Sequence, residues 1–405
     1  MYNMIYMKKL LILSIILIST CTSLWAQDAK GNEIQTFNPV MTGVTSLTIA
    51  PDSRAGAMGD VGAATDPDVN SQYWNPAKYP FAISPTGISL AYTPWLRQLV
   101  SDIDLANLTG YYRIGDYQAI SGSLTYFSLG EVWVDEYTIK PYEMAIDFAY
   151  SRMLSQTFSA AVALRYIHSN LNYNFDEDTS VGHAFAADIS MFYSNYVFVG
   201  RRECMINLGL NASNIGSKIS YDGGQTNQFI PTNLRIGASI MIPVNEYNTF
   251  SISADANKLM VPTKPTYKQF LNEKGLVDEE GDYYRADYES YLAEIGYNDM
   301  SPITGIFKSF ADAPGGFKEE LQEIYWGVGV EYAYNNQFFL RGGYHHENEY
   351  KGNRKYFTLG TGFKMSVFSL DAAYLISTAQ SNPLDQTLRF TLAFDLDGIR
   401  EILGR

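Results

Sequence analysis

Cysteine is almost missing from this chain of 405 residues: only Cys21 and Cys204 occur. Cys21 lies in a stretch that reads as a cleavable leader, so its removal leaves no possible intramolecular disulfide, and stability has to come from backbone pairing and burial. Long apolar runs are missing as well. Beyond the leader nothing approaches the roughly twenty continuous apolar residues of a spanning helix, which excludes a helical membrane protein. Positive charge is scarce: 29 Lys and Arg stand against 43 Asp and Glu, for a net charge of -14. No basic stripe is available to displace the counterions of a nucleic acid, and nucleic-acid binding is excluded on that ground.

Aromatic residues, by contrast, are plentiful. With 31 Tyr, 22 Phe and 5 Trp and only 18% charged residues, the chain has more rings than a water-facing sheet protein needs. Aromatic girdles at both lipid boundaries of a membrane barrel would use them.

The leader sets the compartment. Lys8 and Lys9 precede an apolar run from Leu10 to Ile18, and Leu24-Trp25-Ala26 ends in a small residue suited to cleavage, so residues 1–26 read as a signal peptide with Gln27 as the mature start. A lipidated Cys21 is disfavoured, because Thr20 is bulkier than the residue usually tolerated there and the Ala26 site follows closely.

The rest of the chain alternates with period 2. Leu388, Phe390, Leu392 and Phe394 oppose Thr387, Arg389, Thr391 and Ala393, and Trp326, Val328, Val330 and Tyr332 oppose Gly327, Gly329 and Glu331. One side suits lipid and the other water. Similar segments place strands near 86–94, 105–115, 117–129, 143–151, 157–168, 182–194, 204–213, 231–242, 247–257, 324–334, 337–345, 355–365, 367–376 and 386–395. A soluble sandwich would alternate too, but it has no reason to alternate its loop lengths. Here the even-numbered connections are short, as at Gly115-Asp116 and Asn335-Asn336, while the odd-numbered ones are mostly long; the connection 195–203 is the exception. The expectation is an all-β fold: a transmembrane antiparallel β-barrel of about 14 strands over 85–395, with short periplasmic turns, long extracellular loops and a tail at 396–405.

Two stretches do not read as barrel. Residues 258–323 form a long extracellular insertion with helical spacing at Ile303, Ile306, Phe307 and Phe310 and again from Phe317 to Ile324, and a loop of that length is usually functional. The simpler alternative is a cap over the barrel mouth. Residues 27–84 precede the first strand and are rich in Gly, Ala, Asp and Asn, which suits an N-terminal plug folded into a lumen that would otherwise be an open pore.

Within that plug segment, Ser53-Arg54-Ala55-Gly56-Ala57-Met58-Gly59-Asp60-Val61-Gly62-Ala63-Ala64 is followed by Tyr73-Trp74-Asn75-Pro76-Ala77-Lys78. This resembles the N-terminal region of the FadL-like outer-membrane family, with Gly56, Gly59, Gly62, Trp74, Asn75, Pro76 and Ala77 as its motif. The longer run Asp68 to Tyr79, Ala91 to Arg97 and Thr125 to Gly130 resemble the PorV (LptO) branch of it, which belongs to the type IX secretion system. The resemblance implies a fourteen-stranded barrel with an N-terminal plug in the outer membrane. It further implies a carrier that binds the C-terminal signal domain of secreted proteins after the translocon SprA and delivers them to an attachment complex of the sortase PorU with PorQ and PorZ. A FadL-like transporter of hydrophobic small molecules is the alternative, and an LPS O-deacylation role a weaker one. No enzyme and no cofactor is expected.

Candidate chemistry is thin. His168, His183, His345 and His346 all fall at long-loop strand ends, but their spacing shares no local ligand pattern, and a metal site is not expected. His168-Ser169 could serve as base and nucleophile only where the strand has ended, since neighbours on a strand face opposite ways, and no residue is assigned as catalytic. Asp147, Arg165, Arg235, Asp255, Glu331, Lys364 and Arg389 fall on inward positions with both charge signs, either as plug-binding ion pairs or simply as a solvated wall. Trp95, Tyr92, Tyr111, Tyr112, Trp326 and Tyr332 read as membrane girdle.

Overall fold

The computed structural model describes residues 37–402 apart from 98–99, 101, 135–136, 172–179, 225, 279–280, 282, 298 and 379–383. The expected signal peptide and its cleavage site lie outside the described residues. Among those described, no helix is long and apolar enough to cross a membrane.

Fourteen antiparallel strands close on themselves. In chain order they are β1 (Thr86–Pro94), β2 (Ile103–Ile114), β3 (Gln118–Leu129), β6 (Tyr142–Ser155), β7 (Phe158–Asn170), β8 (Gly182–Val199), β9 (Arg202–Gly216), β10 (Asn233–Pro243), β11 (Asn248–Leu259), β12 (Ile324–Tyr334), β13 (Phe338–His346), β14 (Lys355–Lys364), β15 (Phe368–Ser377) and β16 (Leu388–Asp395). A separate hairpin, β4 (Val132–Val134) with β5 (Tyr137–Ile139), stands in the loop between β3 and β6. Every barrel strand pairs with its sequence neighbours, and β1 closes against β16 with Ile88 opposite Phe394 and Leu90 opposite Leu392. Closure leaves no edge strand whose backbone groups would be stranded in hydrocarbon.

The alternation has the physical cause inferred from the sequence. Outward side chains such as Phe148, Leu164 and Phe185 are 71%, 67% and 68% exposed, while their inward neighbours Asp147, Arg165 and Ala186 are buried. All fourteen expected strands are present with ends displaced by a few residues. One connection differs: 195–203 is not a long loop, because β8 and β9 continue to a tight turn at Gly200, whose φ of 68° suits glycine. Tyr196, Phe198 and Val199 are all exposed there, so the alternation that marks a strand with one covered face fades. With that correction all six even-numbered connections are short.

Residues 37–85 run through the lumen from the long-loop end to the short-turn end. At the first, Gly43 N donates to Phe229 O and Val44 packs with Ile167, Ala184 and Ile219. Two short helical turns, α1 (Ser53–Gly56) and α2 (Ser71–Trp74), occupy the middle, and a 3-10 turn over Pro76–Phe81 leads to β1. Asp52 caps α1 by accepting from Ala55 N at 2.9 Å, and Asn75 caps the 3-10 turn by accepting from Ala77 N at 3.0 Å with Pro76 at its first position.

Among the described residues the insertion carries four helices: α3 (Tyr267–Lys274), α4 (Arg285–Glu294), α5 (Pro302–Lys308) and α6 (Phe317–Gln322). The last two coincide with the expected helical spacing. The first two pack Phe270, Tyr288 and Leu292 into a small core of their own. After β16 the tail forms α7 (Leu396–Ile402).

Candidate functional site: a filled lumen beneath a helical long-loop face

The lumen is held shut by paired charges. Arg54 donates Nη2 to Glu331 Oε1 at 3.0 Å and Nε to Glu331 Oε2 at 3.1 Å, a two-pronged contact, and its Nη1 reaches Asp68 Oδ2 at 3.1 Å. Glu331 also accepts from Arg341 Nε at 2.6 Å, and Arg341 Nη1 continues to Asp371 at 2.5 Å. Such forked, buried guanidinium–carboxylate contacts fix geometry as well as supply energy. A second link joins Asp60 to Arg389 Nη1 at 2.5 Å and to the Tyr356 hydroxyl at 2.5 Å. A third is formed by Asp255, whose Oδ2 accepts from the backbone of Gly62 and Ala63 at 2.8 and 2.9 Å.

Asp147 accepts from Gln72 Nε2 at 2.5 Å and Ser123 Oγ at 2.9 Å, and meets Arg165, which pairs in turn with Asp188 at 2.9 Å. Arg235 lies over the Trp74 ring at 4.5 Å and donates to Asn257 at 2.8 Å. Six of the seven inward charges read from the sequence therefore make buried contacts, Arg165 with the wall and the other five with or against residues 37–85. Lys364 is different. It is exposed and lines the cavity at the short-turn mouth.

The motif residues act at the closest approaches. Gly59 has φ 72°, and a Cβ there would stand 2.6 Å from Tyr344 O; on the facing wall a Cβ at Gly343 would stand 2.1 Å from the Met58 carbonyl carbon. Glycine on both sides lets the two backbones touch. A Cβ at Gly62 would run into the Trp74 ring at 2.3 Å, and one at Gly56 into Arg389. Trp74 is buried and donates Nε1 to Asp52 at 2.5 Å. Asn75 Nδ2 bridges Ala63 O at 3.0 Å and Met191 O at 2.9 Å, and Ala77 packs against Ala161 and Phe192.

Two expected girdle residues turn inward. Tyr111 is buried and stacks on Tyr79 at 4.6 Å, because it occupies the opposite face from Tyr112. Trp95 lies past the end of β1 and packs against inward clusters with Ile49 and Leu105 on one side and Tyr356 and Leu375 on the other. Tyr92, Tyr112, Trp326 and Tyr332 do face outward. Of the histidines, His345 is buried against Tyr356, 4.7 Å between rings. His168 and His183 are cross-strand partners on the outer wall, while Ser169 faces inward to Glu143. The adjacent pair therefore cannot act together. Among the described residues no group of three or more His, Cys, Asp or Glu could hold a metal ion.

Little space remains at the long-loop half of the lumen. A cavity between the segment and the wall, bordered by Ser46, Asp147, Arg165 and Arg235, measures about 30 Å³, enough for one or two waters. The mouth cavity at the short-turn end measures about 380 Å³ and is bordered by Arg54, Asp68, Arg341 and Lys364.

At the other end the insertion is anchored by its root. Lys258 Nζ donates to Glu320 at 2.9 Å and Glu323 at 2.6 Å, and Lys351 Nζ donates to Glu319 at 2.6 Å and Glu323 at 3.0 Å. The two ammonium groups hold the Glu323 carboxyl below the usual range despite its burial. Asp312, half-buried beside Glu320 and Glu323, is pushed up to about 6, chiefly by loss of solvent. Above this root α5 turns Gly305 toward Phe229 and Pro262 and leaves Ile303 and Phe307 exposed, as α6 leaves Phe317.

Sequence reasoning missed Arg54, Arg341, Asp188 and Asp371. Alternation alone would have placed Arg341 and Asp371 inward; Arg54 and the Lys258–Glu323–Lys351 cluster carry no local signal.

A model of the type IX secretion system protein PorV matches residues 32–266, more than half of the chain. The chain belongs to the PorV family. It is an outer-membrane barrel of the type IX secretion system. The PorV match ends in the first part of the insertion. Among solved structures, a Pseudomonas aeruginosa FadL homologue is similar at 11% identity over 88% of this chain and 99% of its own, with a TM-score of 0.44. The Ralstonia pickettii toluene transporter TbuX is similar at 12% identity over 89% and 98%, also with a TM-score of 0.44. No curated protein matches the sequence.

Proposed function

We propose that this PorV-family barrel is a carrier and scaffold: it receives secreted proteins by their C-terminal type IX signal domain after passage through the translocon SprA, and presents them to the sortase PorU with PorQ and PorZ. The filled lumen supports this reading over transport. A segment fixed by the Arg54–Glu331–Arg341, Asp60–Arg389 and Asp255 contacts, with about 30 Å³ left between segment and wall at its long-loop half, leaves no passage there for a fatty acid or an aromatic substrate; the larger cavity of about 380 Å³ stays at the short-turn mouth. The described part of the 27–84 segment, residues 37–84, then serves as a plug, and the working surface is the long-loop face, where α5 and α6 present Ile303, Phe307 and Phe317 on a root tied to the barrel. This is a surface for docking.

The test is photocrosslinking in intact cells from positions 303, 307 and 317. Capture of signal domains or of sortase subunits is expected, and deletion of the protein should leave cargo unprocessed in the periplasm with little change in permeability. Loss of fatty-acid or aromatic uptake on deletion, with secretion intact, would replace the carrier by the transporter.

A further inference from the structure

The outer wall carries a cluster that neither the carrier role nor the plug uses. On the outward face Tyr126, Met144, His168 and His183 are consecutive cross-strand partners over β3, β6, β7 and β8, at the long-loop end. The row directly below is Leu124, Ile146, Tyr166 and Phe185, and below that come Phe148 and Leu164, among the most exposed apolar side chains of the barrel. The first row therefore marks the boundary between hydrocarbon and headgroups.

Its rings form a continuous ladder. Tyr126 stacks on Tyr142 at 5.5 Å, Tyr142 on His168 at 5.6 Å, His168 meets His183 at 5.0 Å and His183 stacks on Tyr166 at 6.0 Å. Each imidazole uses one nitrogen on a tyrosine hydroxyl: His168 Nε2 with Tyr142 at 3.1 Å, and His183 Nδ1 with Tyr166 at 2.7 Å. A hydroxyl donating to one nitrogen fixes the tautomer with its proton on the other. With both hydroxyls donating, His168 Nδ1 and His183 Nε2 are two N–H donors, on rings 5.0 Å apart. Among the described residues, the neighbouring Glu143 points into the lumen and accepts from Ser46 and Ser169, so it does not compete.

We propose that His168 and His183 bind the phosphate of a membrane lipid in the long-loop leaflet, with its acyl chains lying along Phe185, Leu164 and Phe148. Two donors on adjacent rings suit a tetrahedral anion, and the apolar wall continuous with them selects a lipid over a free ion. Tyr142 and Tyr166 are positioning residues that hold the two rings.

The test uses the full chain in detergent and in nanodiscs, with native mass spectrometry counting retained lipid. Phosphatidic acid is the probe, diacylglycerol the control without phosphate, and inorganic phosphate the competitor. The double variant His168→Leu/His183→Leu keeps an apolar outer face, so the barrel should fold, as heat-dependent gel mobility will report; His346→Leu, on β13, is the control. Wild type and the control variant should retain phosphatidic acid, with at least a tenfold loss in the double variant and no comparable retention of diacylglycerol. Tyr142→Phe should weaken retention, and Tyr142→His should restore part of it. Equal retention by wild type and double variant, equal retention of diacylglycerol, or displacement by equimolar inorganic phosphate would each overturn the site.

Discussion

Arg54→Ala should loosen the lumen segment without unfolding the barrel. The side chain makes a two-pronged contact to Glu331 at 3.0 and 3.1 Å and a further one to Asp68 at 3.1 Å, and the side chains of Arg54 and Glu331 are only 15% and 6% exposed. Breaking a buried pair by removing one partner costs about 3–5 kcal/mol, mostly because the other charge is left behind. Here Glu331 keeps Arg341 at 2.6 Å and the site borders the mouth cavity, so the lower end, about 3 kcal/mol, is expected. At about 1.4 kcal/mol per factor of ten, that raises the population of undocked segment by about two orders of magnitude. Amide exchange reads it directly. Gly59 N donates to Thr358 and the amides of Gly62 and Ala63 donate to Asp255, all acceptors on the wall, so these three exchange only when the segment leaves it. In nanodiscs their exchange should accelerate about a hundredfold, while strand amides stay protected. Acceleration below about threefold would refute the claim that these ion pairs hold the segment, and would match the small contribution of solvent-exposed pairs instead.

Gly343→Val should displace the segment by steric means, since a Cβ there stands 2.1 Å from a Met58 backbone atom that has no free side chain to yield; in planar bilayers the folded variant should conduct where the parent is closed, and a silent, fully folded variant would contradict the close approach. Asp312→Asn tests the insertion root through pH. Its folded-state value of about 6 lies above the ordinary 3.8, so the ionised carboxyl weakens the root as pH rises through that window, and the Asn variant should be more protected from proteolysis at pH 7.5 and no different at pH 3.5. Glu323, held low by Lys258 and Lys351, acts in the opposite sense, and Glu323→Gln should weaken the root at pH 7.5 with the difference shrinking once the pH falls below the ordinary 4.5.

The strands were legible because their signal is local. Leu388 to Ala393 announces two faces within six residues, and the length of each connection is written in the chain, so fourteen strands and a closed sheet follow before any contact is known. Errors came where that local rule is relaxed or was set aside. The end of β8 is exposed on successive residues and so carries no period-2 signal; Tyr111 and Tyr112 share a residue type suited to the girdle, yet adjacent strand residues must face opposite ways.

By itself, the sequence determined that this protein crosses a membrane as a barrel, which face of each strand meets lipid, and that a Gly/Ala-rich segment precedes the first strand. Alternation and turn length depend only on near neighbours along the chain. Only the tertiary structure decided what the inward charges do. Arg54 meets Glu331 across 277 positions and Asp60 meets Arg389 across 329, and period 2 can say that a charge faces inward but never which distant charge it will meet. The same holds for His168 and His183. Each alone is a rim histidine, and the register of β7 against β8 brings their rings to 5.0 Å.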